Sequence, residues 1–550
     1  MNLSASQFEI GSLPKGWASA RLDDISDIVR GISFPKDAKT KTYQKGHIAC
    51  LRTTNVQREV EWSDLWFVPK EFVRRDQQLL QKHDILISTA NSLELVGKVC
   101  QVQILPHPAT LGAFIAAIRI SPLVNPKFFY FQIASSDIQA SIRACASTTT
   151  NISNVNTNRL KEIQLVTSPL NEQRRIVAKI EELFTRLDAG VEALEKIKRE
   201  LKRYRQAVLK YAFEGKLTEQ WRKENKEKIE PASELLERIA KEREKTAEGK
   251  AKKLPTLNKS ELPELPEGWE WARIEDCAVL ITKGESPKWQ GFNYVQEGVP
   301  FIRSENVLWG TLDICGVANI PEAFHNKLAR SHIKPFDVLV NLVGASIGRC
   351  CVVPSTVARA NLNQAVGLIR LNEVLLPGFL MHLLISPAIQ KAIHSSKVET
   401  ARPNISLTDL RNLLIPVASL LEQRQIVSEI ERHFSITDEV EQIADKALKQ
   451  SQRLRRSILK RAFEGKLVPQ DPNDEPAEKL LERIKIERDK RNRKIFLYPE
   501  NWLKPESRND KSNSFKDLED ESAEKPKERI KVTKKKAINK NKKRKVNRRR

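Results

Sequence analysis

The sequence Ala-Phe-Glu-Gly-Lys-Leu occurs at residues 212–217 and again at residues 462–467. The sequence Glu-Gln-Arg-x-Ile-Val occurs in the same way at residues 172–177 and 422–427. Further matching segments keep a similar offset along the chain, so the two halves are predicted to share one fold. Two copies are too few for a solenoid. A tandem duplication presents two related faces, as a symmetric dimer does, which suits a target with two halves.

The chain has 550 residues, which predicts several domains because single cores rarely exceed about 300 residues. Its hydrophobic content of 40% and its nine tryptophans can supply these cores. The net charge is +24, but residues 525–550 alone carry fifteen Lys or Arg and one Glu. The remaining body is moderately basic. This balance favours a polyanion partner, and nucleic acid first among these.

Cysteine usage and hydropathy indicate the cellular compartment. The seven cysteines form no CxxC pair and have no histidine ligands nearby, which predicts reduced thiols rather than disulfides or a zinc site. No apolar run approaches the roughly 20 residues of a membrane span, and residues 1–11 do not resemble a signal peptide. The sequence therefore predicts a soluble, cytoplasmic protein without membrane contact.

Each half begins with short apolar runs that are separated by Gly, Pro, Asn and Ser. Examples are 48–51, 85–88 and 115–120, which are predicted to be strands of a mixed α/β domain. A helix is expected near 126–142 and, in the second half, near 377–393.

Each half ends in a long helix with apolar or small residues in alternating steps of four and three, the heptad pattern of a coiled coil. In the first helix these residues are Ile176, Ile180, Leu183, Leu187, Gly190, Leu194, Ile197, Leu201, Tyr204, Val208 and Tyr211. In the second helix they are Ile426, Ile430, His433, Thr437, Val440, Ala444, Ala447, Ser451, Leu454 and Ile458. The second seam is more polar, so we expect it to pack against the first. The alternative is that each helix covers its own domain.

Both helices are followed by a glycine, Gly215 or Gly465, which suits a left-handed C-terminal cap. A short amphipathic helix is predicted after each, near 231–239 and 476–484. The predicted order is a first α/β domain, a coiled-coil helix, a charged linker with a short helix, a second α/β domain, a second coiled-coil helix, a short amphipathic helix and a disordered basic tail. Their boundaries are 1–170, 171–215, 216–260, 261–420, 421–466, 467–495 and 496–550.

This doubled arrangement, with Glu-Gln-Arg-x-Ile-Val opening each long helix, closely resembles the specificity subunit of type I restriction-modification systems. The resemblance covers about residues 10 to 490. It implies two target recognition domains that each read one half of a split, asymmetric DNA target, and two antiparallel helices that act as a spacer. It also implies docking of two methyltransferase subunits, which use S-adenosylmethionine to methylate adenine, and of two restriction subunits, which use ATP and Mg²⁺.

The same resemblance implies a non-catalytic chain without a cofactor of its own. A helix from Asn171 to Phe213 would be roughly 65 Å long, comparable to about 19 base pairs at about 3.4 Å each. A strut of this kind would fix the length of the unread gap between the half-sites. We therefore expect that a heptad inserted into both helices lengthens the gap and leaves the half-sites unchanged.

Bases are read in the major groove by short polar side chains and by Arg or Lys on loops. The first candidate loop pair contains Arg52, Thr53, Thr54 and Asn55, and Arg303, Ser304, Glu305 and Asn306. Arg can bind guanine, Asn can bind adenine, and Glu305 can accept from cytosine. The alternative for Asn55 and Asn306 is a turn in which the amide satisfies backbone groups.

Two further loop pairs are candidates. The second contains Ser88, Asn91, Ser92 and Lys98, and Asn341, Ser346 and Arg349; here the cations are expected to hold phosphate. The third contains Thr150 and Asn151, and Arg402 and Asn404. The alternative for Asn151 and Asn404 is a helix or segment cap. The halves differ most within these loops, which predicts two unlike half-sites.

No catalytic motif is recognised in the chain. The segment 125–128 imitates an adenine methyltransferase motif but lacks its second proline, and 344–348 lacks the Gly-Lys-Ser/Thr ending of a phosphate loop. The chain also lacks a repeated nuclease-like carboxylate cluster and a metal-ligand spacing of histidines. Two alternatives stay open, a bipartite DNA-binding regulator without enzyme partners and a nuclease hidden in one half. The basic tail either adds sequence-independent DNA affinity or has no function.

Overall fold

The computed structural model describes residues 13–149, 152–246, 262–395 and 404–493. The chain divides into residues 1–484, which include both repeats, and residues 485–550. Of the second unit, residues 485–493 are described, and they form the end of a helix. The predicted disordered tail, 496–550, lies outside the described residues.

The first α/β domain consists of twelve strands and four short helices among the described residues. The strands are β1 (Ala18–Arg21), β2 (Ser26–Arg30), β3 (His47–Leu51), β4 (Trp66–Pro69), β5 (Ile85–Ser88), β6 (Ala90–Asn91), β7 (Val99–Gln101), β8 (Ala109–Leu111), β9 (Ile115–Ile120), β10 (Ala146–Thr149), β11 (Ile152–Val155) and β12 (Gln164–Thr167). The helices are α1 (Leu22–Ile25), α2 (Pro126–Ile133), α3 (Ser136–Ala144) and α4 (Thr157–Lys161). Three helices follow this domain, the long α5 (Leu170–Phe213), α6 (Glu219–Glu224) and α7 (Ala232–Thr246).

The second α/β domain repeats most of these elements. Its strands are β13 (Glu270–Arg273), β14 (Ala278–Lys283), β15 (Val299–Ile302), β16 (Ala318–Ile320), β17 (Val338–Asn341), β18 (Cys350–Val352), β19 (Asn361–Leu362), β20 (Val366–Leu371) and β21 (Leu414–Val417). Its helices are α8 (Glu322–Lys327), α9 (Pro377–Leu384), α10 (Pro387–Ser395) and α11 (Leu407–Asn412). The long α12 (Leu420–Phe463) and then α13 (Ala477–Arg493) follow it.

The sheets of the two domains correspond. The first domain has a four-stranded sheet in the order β2-β9-β5-β7, and the second has β14-β20-β17-β18. The three-stranded sheet β4-β3-β8 corresponds to β16-β15-β19, and the pair β1-β12 corresponds to β13-β21. A further sheet, β10-β11-β6, occurs in the first domain; the matching segment of the second includes 396–403, outside the described residues. The predicted duplication of a mixed α/β fold is confirmed.

The helices predicted over 126–142 and 377–393 are both wrong as single elements, because the structure has α2 and α3 in the first range and α9 and α10 in the second. Ser135 is extended, with φ −67° and ψ 153°, and interrupts the helix. The Gln139 side chain donates to the carbonyl of Ile133 at 2.9 Å and so satisfies the end of α2. In the second domain Gln390 donates to Leu384 O at 2.7 Å in the same way. A glutamine that caps the preceding helix is difficult to foresee from periodicity.

The long helices α5 and α12 pack against each other in antiparallel orientation. The contacts that join them are Asp188 with Arg455, Lys198 with Asp445, and Arg205 with Thr437. Residue numbers rise along one helix as they fall along the other, which requires opposite directions. The alternative in which each helix covers only its own domain is therefore excluded.

The predicted heptad seam is confirmed for most of α12, where nine of the ten predicted positions are buried or partly buried and Leu454 is exposed, and is partly correct for α5. The shared positions Leu187, Leu194, Leu201 and Val208 are buried or partly buried, as expected, but the intervening predicted positions face solvent. Exposed side chains there include Ile197, Tyr204 and Tyr211. The inward positions are instead one residue further along the chain, namely Phe184, Val191, Lys198, Arg205 and Ala212. Lys198 and Arg205 lie at the interface because acidic side chains of α12 pair with them, an arrangement that an apolar pattern does not reveal.

The repeated Glu-Gln pair attaches each long helix to its own domain. Glu172 accepts from the indole N–H of Trp17 at 3.0 Å, and Glu422 accepts from that of Trp269 at 2.8 Å. Burial raises the pKa of the Glu172 carboxyl. The next residue, Gln173, accepts from the backbone N–H of Asn125 at 3.0 Å, and Gln423 makes the equivalent bond. The motif therefore positions the helix by hydrogen bonds that burial makes costly to break.

The other end of each long helix packs into the opposite domain. Residues Val208, Leu209 and Ala212 of α5 lie in the core of the second domain, together with Leu235 of α7. The end of α12 and the start of α13 lie in the core of the first domain. Gly215 and Gly465 adopt the predicted left-handed cap, with φ of 69° and 70°, and a Cβ at either would clash with a proline ring of that opposite domain. Both helices thus join both domains.

Candidate nucleic-acid interface

The first candidate loop of the first domain follows β3 and begins with a one-turn 3₁₀ helix, Thr53–Asn55. Asn55 is fully buried. Its Oδ1 accepts from the Arg52 N–H at 2.9 Å, and its Nδ2 donates to the carbonyls of Glu61 and Asp64 at 2.8 and 2.9 Å. The amide of Asn55 is therefore used to close the loop, which leaves the neighbouring side chains to face outward.

The neighbouring side chains differ in their exposure and in their contacts. Thr54 is exposed and Thr53 is partly exposed. The guanidinium of Arg52 pairs with the Asp64 carboxylate and lies 4.7 Å from the ring centre of Trp66. Arg52 is thus held at the base of the loop, in a fixed orientation.

The matching loop of the second domain has the same construction. Asn306 is buried, and its Oδ1 accepts from the Arg303 N–H at 2.9 Å. The Arg303 guanidinium pairs with Glu305 at 2.5 Å and lies 6.0 Å from the ring centre of Tyr294. Glu305 is exposed and Ser304 is partly exposed. At this position the second domain therefore exposes the carboxylate of Glu305, whereas the first domain exposes the hydroxyl group of Thr54.

In the second loop pair the residues also divide into buried and accessible ones. Ser88 and Asn341 are buried, and Asn341 Nδ2 donates to the Ser304 carbonyl at 2.8 Å. Asn91 accepts from the Ser92 N–H at 2.9 Å. Accessible or partly accessible side chains are those of Asn91, Ser92, Lys98, Ser346 and Arg349.

The candidate loops of each domain lie together. In the first domain Lys98 donates to Gln57, which connects the second loop to the first, and Asn91 pairs with Ser153 in the sheet β10-β11-β6. In the second domain the hydrogen bond from Asn341 to Ser304 connects the second loop to the first. A β-bridge between Val343 and Asn404 connects the third loop to the second. Asn404 is exposed; Thr150, Asn151 and Arg402 lie outside the described residues.

Exposed aromatic side chains near these loops were not predicted. Trp309 is 52% exposed on the turn after Asn306, and Phe114 is 65% exposed beside the second loop, where its carbonyl accepts from the Thr89 N–H. Apolar side chains can contact the thymine methyl group in the major groove. The signal was present as Trp309-Gly310, a large ring beside a turn glycine with φ of 78°. A prediction that considers only polar residues does not include this tryptophan.

The chain belongs to the family described as type I restriction modification DNA specificity domain, whose model matches residues 14–203 and 266–450. It is 27% identical over 493 residues to the type I restriction enzyme EcoKI specificity subunit of Escherichia coli K12, covering 87% of this chain and 97% of that one. It is 30% identical over 402 residues to the EcoBI specificity subunit of Escherichia coli, covering 70% and 76%. A model described as ABC toxin N-terminal region matches the short range 468–519.

The fold is similar to a chain from a solved structure described as the structural basis underlying complex assembly and conformational transition of the type I R-M system. The TM-score is 0.59 at 18% identity, and the match covers 83% of this chain and all of that chain. These relationships confirm that the chain is a DNA specificity subunit of a type I system, and that it is the non-catalytic subunit.

Two features are absent from the part of the chain that the structure describes. No group of His, Cys, Asp or Glu side chains in that part of the chain is arranged to hold a metal ion. None of its helices combines the length and the apolar character that crossing a membrane would require.

Proposed function

We propose that each α/β domain reads one half of a bipartite, asymmetric DNA target and that α5 and α12 fix the gap between the halves. The observation that carries this proposal is the pair of equivalent loop clusters, one in each domain, joined by a single antiparallel helix pair. On this basis residues 1–170 and 261–420 are target recognition domains, and 171–215 and 421–466 are the spacer. Of the remaining segments, 216–260 contains α6 and α7, and 467–495 contains α13.

The accessible loop side chains contact the DNA. Thr54, Ser92 and Glu305 are exposed, and we expect them to reach base edges, whereas we expect Lys98 and Arg349 to hold phosphate. The buried residues Asn55, Ser88, Asn306 and Asn341 position the loops, because their side chains are enclosed. Arg52, Thr53, Asn91, Arg303, Ser304, Ser346 and Asn404, together with Thr150, Asn151 and Arg402, complete the proposed contact set.

The two half-sites differ in sequence. Thr54 of the first domain matches Glu305 of the second, so the two domains present different hydrogen-bonding groups at equivalent places. Glu can accept from the N4 amino group of cytosine, whereas the threonine hydroxyl can donate or accept. The target is therefore not a palindrome.

The spacing follows from the length of the helix pair. Between Leu187 and Val208, α5 contributes no residue to either domain core. This stretch is roughly 32 Å long at about 1.5 Å per residue, close to one turn of DNA, about 34–36 Å. Domains held at this separation would reach the duplex from one side, about one turn apart. The antiparallel contacts make the separation rigid.

The helix pair is also proposed to dock the other subunits. Ile197, Tyr204 and Tyr211 are exposed at heptad spacing on α5, and Ile436 and Ile443 are exposed at the same spacing on α12. Exposed apolar rows of this kind indicate protein interfaces. We infer two methyltransferase and two restriction subunits, which would bind S-adenosylmethionine, ATP and Mg²⁺ in the cytoplasm, with no cofactor on this chain.

Adenine methylation across the genome tests this function. Cells that carry the chain with its neighbouring genes are compared with a deletion of the chain alone. A split motif that disappears on deletion supports the proposal and identifies both half-sites. Methylation that persists at the same motif after deletion would contradict it.

A further inference from the structure

An open groove with a volume of about 410 Å³ lies along one face of α12, next to the second domain. Its lining residues are Glu431, Phe434, Ser435, Asp438, Glu439 and Gln442. Three of these side chains are carboxylates. The Phe434 ring forms the apolar part of the groove and packs edge-on against His382, with ring centres 5.8 Å apart.

The matching face of α5, 250 residues earlier, is filled by the first domain. There Glu181 occupies the place of Glu431 and accepts from the Lys127 ammonium of α2. Asp188 occupies the place of Asp438 and pairs with Arg58 from the first recognition loop. Phe184, the counterpart of Phe434, is only 9% exposed. On this side the domain therefore supplies the cations that neutralise the acidic face of its helix.

The second domain lacks both cations. The residue that matches Lys127 is Gly378, and the one that matches Arg58 is Trp309. Arg205 pairs with Asp438, as Arg455 pairs with Asp188 in the first half. Among the described residues no ion pair involves Glu431 or Glu439. The two halves thus share an acidic helix face and differ in whether the chain itself neutralises it.

We propose that this groove receives a cationic side chain, arginine in preference to lysine, from the methyltransferase subunit that docks beside the second domain. The inference rests on the proposed function, since it assumes that such subunits dock on the helix pair. Carboxylates around an aromatic ring suit a guanidinium, which can pair with the acids and stack on the ring. The same acids repel DNA phosphates, so the groove is a protein site.

The consequence is that the two methyltransferase subunits bind unequally. A subunit beside the first domain meets a face that Lys127 and Arg58 already occupy. A subunit beside the second domain gains an additional ion pair in the groove, and such pairs slow dissociation when docking desolvates them. Nearly equivalent helices can therefore support two different affinities.

The experiment measures stepwise binding of purified methyltransferase subunit to the full chain by calorimetric titration, with native mass spectrometry to count the bound copies. The test variant is Glu431→Gln with Glu439→Gln, which keeps the shape of the groove and removes two charges. The matched control, Glu192→Gln with Glu195→Gln, removes two exposed charges from α5. We expect the test variant to weaken one of the two binding steps about tenfold and the control to leave both steps unchanged.

A second variant places a cation of this chain in the groove. Gly378→Lys places an ammonium where Lys127 lies in the first half, and a Cβ at Gly378 would meet Val427 at 3.5 Å, an ordinary contact. This variant is expected to weaken the same step, because its lysine competes with the partner's cation. Thermal unfolding confirms that each variant is folded. Both losses should diminish at high salt, where the wild-type ion pair is screened.

The outcomes distinguish this inference from the function on which it rests. If wild-type chain binds no methyltransferase subunit, the proposed docking is wrong and the groove proposal is wrong with it. If two subunits bind and the test and control variants behave alike, only the groove proposal is overturned. It is also overturned if truncation after Glu500 strengthens that binding step, because the chain's own basic segment would then be the occupant that competes with the partner.

Discussion

The buried amide of Asn55 organises a whole loop, since it accepts from one backbone group and donates to two others. The sequence alone leaves the role of Asn55 open between a base contact and a turn, because both uses require the same short amide. Burial decides between them, and burial depends on the folding of residues 61–64 over the loop. The neighbouring Thr54 stays exposed. The sequence could thus narrow the proposed base contacts to a loop, but it could not predict the orientation of each side chain in that loop.

Asn55→Ala and Thr54→Ala are expected to have opposite effects. Asn55→Ala leaves buried backbone carbonyls without donors and should lower the free energy of unfolding by about 1–3 kcal/mol. Thr54→Ala should leave stability unchanged and alter the first half-site. Urea unfolding and methylation mapping measure the two effects. A stable Asn55→Ala variant with a changed target would show that Asn55 contacts bases.

Arg349→Ala should weaken DNA binding by a similar factor for all sequences, because a phosphate contact does not distinguish bases. The slope of log affinity against log salt should decrease by about 1. Fluorescence anisotropy with matched and mismatched duplexes over a series of salt concentrations measures both quantities. Loss confined to the matched duplex would assign a base contact to Arg349 instead.

At the scale of elements, the long helices were predictable to within a residue or two, and their interface was not. Tyr204 and Arg205 fit the alternating steps of four and three residues equally well. The pattern therefore does not show which of the two side chains points toward α12. The structure places Arg205 inward because Thr437 and Glu441 of α12 bind its guanidinium. Pairings between helices that are distant in sequence decide such a choice, and periodicity within one helix does not contain them.

His382 of α9 is predicted to make the stability of the second domain depend on pH. Burial lowers the pKa of His382 to about 4, and among the described residues neither ring nitrogen has a hydrogen-bond partner. The unfolded pKa is about 6.5. A lowered histidine pKa gives stability that is present above the unfolded value and is lost as pH falls from 6.5 toward 4.

His382→Phe tests this dependence, since Phe131 occupies the equivalent position in the first domain and packs edge-on against Phe184 as His382 does against Phe434. Between pH 7 and pH 5 the wild-type chain should lose about 2 kcal/mol more unfolding free energy than the variant. Urea unfolding at both pH values provides the comparison, and the other titrating groups cancel in the difference. Parallel losses in the two proteins would assign the pH dependence to other groups.

At the scale of the whole molecule, the described part of residues 1–484 is arranged so that each domain holds the start of one long helix and the end of the other. The duplication itself was evident from the sequence. The exchange of helix ends was not, because it depends on contacts such as Gly215 with Pro266 and Gly465 with Pro14. These contacts explain why the segments 212–217 and 462–467 are so similar.

Truncation after Glu500 should weaken sequence-independent DNA binding and leave the target motif unchanged. The removed residues include the stretch 525–550 with its fifteen basic side chains, which would release counterions from DNA. Competition with random-sequence DNA at several salt concentrations measures the nonspecific affinity. A new methylation motif in cells with the truncated chain would contradict this assignment.

The central claim is that α5 and α12 measure the distance between two half-sites. The most direct measurement is methylation mapping of a variant with one heptad inserted into each helix. The insertion lies within residues 191–198 of α5 and within residues 441–448 of α12. Seven residues add about 10 Å at about 1.5 Å each, or about three base pairs at about 3.4 Å each. We predict unchanged half-sites separated by a gap about three base pairs longer. An unchanged gap in a folded, active variant would contradict the spacer role of the helices.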